Sequence, residues 1–210
     1  MGSRLFLVRH GETVWNKETR LQGRADIALS DKGIKQAEAL SKRLAGHNFA
    51  AFYSSNLSRA RETAAIIARP HRKPVQEIPD LQELNFGHWE GLTIEEIRRK
   101  YRRESEAWWS NPLETRIPGG ETLAEMTERS VRAVKNIVEQ YPDEQVLVVV
   151  HGGVIRSIVA TVLGIDLNQY WRLRQDNASL TIIDFYQWDK AILMLYNDCS
   201  HLAPGQVPPV

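Results

Sequence analysis

Apolar positions along the chain follow two rhythms. Residues 5–8, 49–54 and 146–150 form short, nearly unbroken apolar runs. Runs of that length, closed by turn residues, predict strands buried on both faces. Between them, apolar residues recur three and four apart. Ile34, Ala37, Leu40 and Leu44 mark a helix over 31–44, and Ser30 stands at its N-cap position. Similar spacing predicts helices over 57–68, stopped before Pro70, over 121–141, and over 154–163, closed by Gly164. A short strand fits 75–78. Residues 180–186 and 192–195 alternate around turn residues 187–190 and predict a hairpin.

Strands alternating with helices predict an α/β three-layer sandwich, with a mainly parallel central sheet and helices on both faces. Residues 1–202 read as a single domain. Residues 83–120 break the alternation with Trp89, Trp108, Trp109, several Pro and Gly, and the basic run 98–103. They predict a small helical lid insertion over the core, with one helix over 93–103. Residues 203–210 hold three prolines and are expected to form a loose tail.

Composition narrows the class. With 42% hydrophobic and 25% charged residues, the 210-residue chain is neither disordered nor fibrous. A net charge of +1 gives no general pull toward nucleic acid. The single cysteine, Cys199, cannot form an internal disulfide, which suits a reducing compartment. No run approaches the roughly 18 apolar residues of a membrane span. Met1-Gly2 resembles a myristoylation start, but a strand-like segment follows at once. The first ten residues hold too short an apolar run for a secretory signal. A cytoplasmic location without membrane or nucleic-acid partners is therefore expected.

Several chemistries are missing from the sequence. It has no phosphate-binding G-x-x-x-x-G-K-[ST] loop, no G-x-G-x-x-G, no G-x-S-x-G and no H-E-x-x-H. No arginine follows Cys199, so a cysteine phosphatase loop is not available. No histidine pair has metal-ligand spacing on one helix, and no metal or cofactor is expected.

What remains is one design used twice. Leu7-Val8-Arg9-His10-Gly11 and Val149-Val150-His151-Gly152-Gly153 each put a histidine after an apolar strand, followed by glycine. Ligands of open parallel sheets bind beyond the carboxyl ends of the strands, so both histidines would face one crevice. Gly11 would let the backbone approach a ligand closely. Gly152 and Gly153 open a helix whose free N–H groups suit an anion. Arg59 lies in the first turn of a helix after another strand, where a cation opposes the helix dipole. Such a residue either points to solvent or meets something negative. Two arginines, two histidines and a helix N-terminus suit a phosphoryl group. Without a metal or a phosphate loop, the covalent route is a histidine nucleophile.

The Leu7–Thr13 stretch resembles the Arg-His-Gly signature of the histidine phosphatase superfamily, in its phosphoglycerate mutase-like branch. Trp15-Asn16, Leu21-Gln22-Gly23, the segments 29–33, 53–60, 84–91 and 118–121, and Val150-His151-Gly152 follow in the family's order. The resemblance implies the phosphoglycerate mutase-like fold and a two-step phosphomonoester hydrolysis. His10 would attack phosphorus and become phosphohistidine, with its other ring nitrogen bonded to the backbone near Gly11. Arg9, Arg59, His151 and the Gly152 N–H would hold the phosphoryl oxygens. Glu83 matches the position of the acid that protonates the leaving group, and must carry a proton when the ester breaks. Asn16, Gln22 and Gly23 match the loop that touches the substrate phosphate. Relatives often carry aspartate where Asn85 and His88 stand here.

The resemblance leaves the substrate open. A phosphatase fits the compact length. A phosphoglycerate mutase uses the same chemistry, and a binding module that has lost catalysis is an alternative of another class. Segments 170–179 and 197–202 resemble both the α-ribazole phosphatase and the metal-independent phosphoserine phosphatase sub-branches, and much is shared with broad-specificity phosphatases. A small phosphorylated metabolite, α-ribazole 5′-phosphate or phosphoserine, is the expected partner. His201 either reaches over the pocket or lies on the surface tail. The basic run is a solvated helix face paired with Glu95, Glu96 and Glu104, or else it draws in anions. Trp108 and Trp109 either cap an apolar substrate part or fill the lid core. Asn177-Ala178-Ser179 is a glycosylation sequon by pattern only. Edge strands and apolar lid residues would permit a homodimer.

Overall fold

The computed structural model describes residues 2–204 and 206. Strands β1 (Ser3–Arg9), β2 (Phe49–Ser54), β3 (Val75–Glu77), β4 (Gln145–Val150), β5 (Leu180–Gln187) and β6 (Lys190–Asp198) form one sheet, ordered β3-β2-β4-β1-β5-β6. The first four in that order run parallel, β5 runs antiparallel to β1, and β6 pairs antiparallel with β5 to complete a hairpin on the β1 side. This is the mainly parallel α/β sheet that the alternation predicts.

The unbroken apolar runs are explained by burial on both faces. Successive strand residues point to opposite sides. Phe6 and Val8 of β1 join Phe52, Leu147 and Val149 on one face, while Leu5 and Leu7 join Val148 and Val150 on the other. Helices α2 (Asp31–Leu44) and α3 (Ser58–Ala68) cover the first face, with Leu40, Leu44, Ala60 and Ile67 inward. Helices α6 (Leu123–Gln140) and α7 (Gly152–Leu163) cover the second, with Val134, Ile137, Ile155 and Ile158 inward. A buried Leu or Ile of this kind contributes roughly 1.5–3 kcal/mol.

The helix starts follow local chemistry. The Ser30 side chain accepts from Gly33 N–H at 3.1 Å, so the expected cap of α2 is present. Thr122 and Glu125 form a reciprocal capping box at α6. Such caps contribute about 1 kcal/mol each. A one-turn helix α1 (Val14–Lys17), capped by Thr13 and Asn16, has no apolar period in the sequence and was not legible there.

The insertion departs from expectation. Instead of one helix over 93–103, α4 (Ile94–Lys100) and α5 (Arg102–Ser110) meet at Tyr101, whose backbone leaves the helical region. A continuous helix would stack Arg98 on Arg102 and Arg99 on Arg103, and like charges four apart repel. The run is a solvated face, but its partners differ from those expected. Arg102 pairs with Glu106, and Glu96 pairs with Arg20 from outside the insertion. Trp108 is buried edge-to-face against Trp89, with ring centroids 5.9 Å apart. Trp109 remains 39% exposed. Trp108 thus fills the lid core, and Trp109 is only partly covered.

The tail is fastened where it is described. The Gln36 side chain donates to Gln206 O at 2.8 Å, and Gln206 N–H donates to Ala203 O. Residues 205 and 207–210 lie outside the described residues. Among the described residues, no helix is long and apolar enough to cross a membrane.

Candidate active site

Sheet register assembles the site. Arg9 is paired with Val150, and Ser54 with Val149, so β1, β2 and β4 end level. His10 and His151 are the next residues on neighbouring strands. Their rings lie edge-to-face with centroids 5.2 Å apart. Strand β5 is antiparallel, so its first residues lie at the same end: Ala178 N–H donates to His10 O.

The His10 ring is fixed by its own turn. Nδ1 lies 2.7 Å from Gly11 O. A carbonyl only accepts, so Nδ1 carries the hydrogen and Nε2 keeps its lone pair. Burial, and then the Arg59 and Arg9 cations, hold the His10 pKa well below the ordinary 6.5. The ring is neutral at physiological pH. Burial, and then Arg59, does the same for His151, whose two ring nitrogens have no hydrogen-bond partner among the described residues.

Gly11 is required for a reason other than ligand approach. A Cβ there would stand 2.4 Å from Gly33 O in the first turn of α2. The glycine lets two backbones touch, and this corrects the reading that it opens space for a ligand.

Both arginines are held by backbone carbonyls. Arg59 is fully buried, and donates to Gly23 O at 2.7 Å and Ala25 O at 2.8 Å. Arg9 donates to Gln175 O. Burial lowers each to about 10, with the Arg156 cation as a further cause at Arg9. Both are charged at neutral pH. The Nε atoms of both, and Oε1 of Gln22, are buried without a partner among the described residues. An unpaired buried polar group costs about 1–3 kcal/mol, so a cluster of them around one crevice marks a site for a polar ligand. The crevice has a volume of about 160 Å³, and Arg9, His10, Asn16, Gln22, Gly23, Arg59, Glu83 and Gly152 all line it. Two buried cations, neutral imidazoles and the first turn of α7 suit a tetrahedral anion.

A family profile described as histidine phosphatase superfamily, branch 1, matches residues 5–198. The chain belongs to the histidine phosphatase superfamily. It is thus a phosphatase of that family. This histidine phosphatase is 33% identical to Phosphoserine phosphatase 1 of Hydrogenobacter thermophilus, over 93% of each chain. It is 34% identical to Probable phosphoglycerate mutase GpmB of Erwinia tasmaniensis, over 94% of each. A putative α-ribazole-5′-P phosphatase from Escherichia coli has a similar structure, with a TM-score of 0.86 at 31% identity, covering 95% of this chain and 98% of that one.

Within this histidine phosphatase, Glu83 lies at the mouth of α7. Its Oε2 accepts from Gly153 N–H and its Oε1 from Leu84 N–H, each at 3.0 Å. The segment behind it is clamped. Arg129 donates to the carbonyls of Asp80, Gln82 and Glu83 and to the Glu121 carboxylate, while Glu121 accepts from Asn85 N–H. Asn85 thus serves as a backbone partner of Glu121.

Gly153 is the weak point of that arrangement. A Cβ there would stand 2.4 Å from Glu83 Oε1, the free end of a side chain. Gly153→Ala is therefore expected to fold, with a Tm within about 4 °C of the parent, but with the carboxylate displaced. Activity on alkyl phosphates should fall by about 100-fold, the cost of a misplacement near 1 Å. Steady-state kinetics beside a thermal melt checks both halves.

Sequence reasoning missed the role of Asn177, which it read as a sequon and as one residue of the 170–179 segment. Its Nδ2 donates to His10 O, Gly11 O and Asn16 Oδ1, tying the nucleophile turn to the Asn16 loop. Its place just before an antiparallel strand beside β1 was the available signal. Arg129, Arg156 and Tyr170 were also missed. His201 is a correction. It does not reach over the crevice, because its Nε2 bonds Ala178 O and its Nδ1 meets Arg43 on α2.

The neutral histidines also set a pH dependence. Unfolded, His10 and His151 titrate near 6.5. Folded, they stay neutral well below that. In that window the unfolded chain binds more protons, so stability rises with pH and falls as pH drops below about 6.5. Tm should decline between about pH 7 and pH 5, and His151→Asn should make the decline shallower. An unchanged slope in the variant would show that His151 is not buried neutral.

Proposed function

We propose that this protein hydrolyses a small phosphorylated metabolite through a phosphohistidine at His10 Nε2. The observation that carries the reading is the His10 ring, neutral, buried and oriented by Gly11 O, beside two buried arginines with unpaired Nε groups. The phosphoryl group sits against Arg9, Arg59, His151 and the Gly152 N–H. The Nε2 lone pair forms the P–N bond as the ester P–O bond breaks. Glu83 gives its proton to the leaving oxygen. The resulting carboxylate then takes a proton from water, whose oxygen attacks phosphorus. The P–N bond breaks, inorganic phosphate leaves and His10 is neutral again. Gly11 O stabilises the Nδ1–H while the ring is phosphorylated.

Relatives named for phosphoserine and α-ribazole 5′-phosphate support those two esters as candidate substrates. The test is phosphate release from both, from 3-phosphoglycerate and from p-nitrophenyl phosphate, in EDTA, with His10→Ala as blank. A lead of about 100-fold in kcat/KM, about 2.7 kcal/mol, assigns the substrate. A flat profile means a pocket that reads little beyond phosphate. No release from any ester would overturn the reading, and isomerisation of 3-phosphoglycerate would replace it with a mutase.

A further inference from the structure

A second cavity of about 310 Å³ adjoins the phosphate crevice and is lined by four of the six tryptophans, Trp89, Trp108, Trp109 and Trp171. The two spaces share Leu21, Phe86, Arg156 and Tyr170 as a common wall. Arg156 is anchored there by donation to Leu173 O at 2.7 Å. We propose that this cavity is the leaving-group subsite and that it takes a flat aromatic group. The inference rests on the phosphatase reading above and names the class of ester that it prefers.

Three observations support that occupant. The phosphate crevice and the aromatic cavity share a wall, so the organic part of an ester bound beside His10 can reach the indoles. No Asp or Glu is among the described residues lining the aromatic cavity, so the ammonium of an amino acid would find no counter-charge there. Trp109 and Trp171 line the cavity and keep accessible ring surface, while Trp89 and Trp108 are buried. An aromatic ring packs on such indoles in offset-stacked or edge-to-face geometry.

Burying one phenyl-sized group contributes about 2 kcal/mol, or about 30-fold in affinity. Trp109 and Trp171 are 39% and 51% exposed, so truncating them leaves the buried core in place.

The test is calorimetric binding of two non-hydrolysable probes, ethylphosphonate and 3-phenylpropylphosphonate, beside turnover of the matching phosphate esters. The arylalkyl probe should bind about 30-fold more tightly, with a more negative heat-capacity change. Trp109→Ala and Trp171→Ala should each lower the ratio of the two affinities by about 5-fold, and Trp109→Phe should restore most of it. Equal affinities, or a ratio unmoved by both alanine variants, overturn the subsite. Tighter arylalkyl binding without turnover of any ester would keep the subsite and overturn the phosphatase reading instead.

Discussion

Alanine at position 10 is expected to leave a folded protein that releases phosphate at least about 10⁴-fold more slowly. Folding survives because the imidazole makes its hydrogen bond to the adjacent Gly11 carbonyl and holds no distant element. The backbone ties are untouched: His10 N–H still donates to Val150 O, and His10 O still accepts from Ala178 N–H. Turnover fails because no neighbour can replace Nε2. His151 lies closest in kind, but its ring stands in a different place, 5.2 Å away between centroids. Two measurements check this. Single-turnover phosphate release should fall to the blank, and alkaline quenching, which traps protein-bound phosphate in the parent because a phosphohistidine is base-stable and acid-labile, should trap none in the variant. Retention of more than a few per cent of activity in a protein of unchanged Tm would remove His10 as nucleophile.

Much of the architecture was legible because burial on both faces writes itself into consecutive apolar residues. The run at β4 and the run at β1 could only be inner strands, and inner parallel strands end together. That geometry alone places His10 beside His151. The departures come where distant residues decide. Gly11 could not be matched to Gly33 from spacing, because the two meet only after α2 folds back across the strand end. Arg129 lies on the polar side of an amphipathic helix, where its pattern is that of any solvated arginine. Only packing of α6 against the 80–85 segment turns it into a clamp on three carbonyls. Asn177 was hidden because an isolated sequon says nothing of which strand end it sits beside. The break at Tyr101 depended on repulsion between residues four apart, which apolar periodicity does not record. His201 failed for the opposite reason: its chemistry suits the crevice, but Arg43 and Ala178 O hold it on the α2 side.

Glu83→Gln separates the two halves of the reaction. The amide keeps nearly the same shape and can still accept from one of the two N–H groups that hold the carboxylate, so the 80–85 segment stays clamped by Arg129 and Glu121. It has no acidic proton to give. An alkyl ester then breaks without protonation of its leaving oxygen, and phosphorylation of His10 should slow by about 10²–10⁴-fold, the usual worth of general acid catalysis. With p-nitrophenyl phosphate the leaving group departs as a stable anion, so the first step should slow by less than about 10-fold. The second step still lacks a base for water with either ester. The nitrophenyl ester should therefore give a burst of nitrophenolate equal to the enzyme present, followed by slow turnover, while alkyl esters show no burst. The contrast is diagnostic because one substitution makes a different step limiting for each ester. Equal slowing of the first step for both would mean that Glu83 shapes the pocket without donating the proton, and a missing burst with fast steady turnover would mean that water is activated elsewhere.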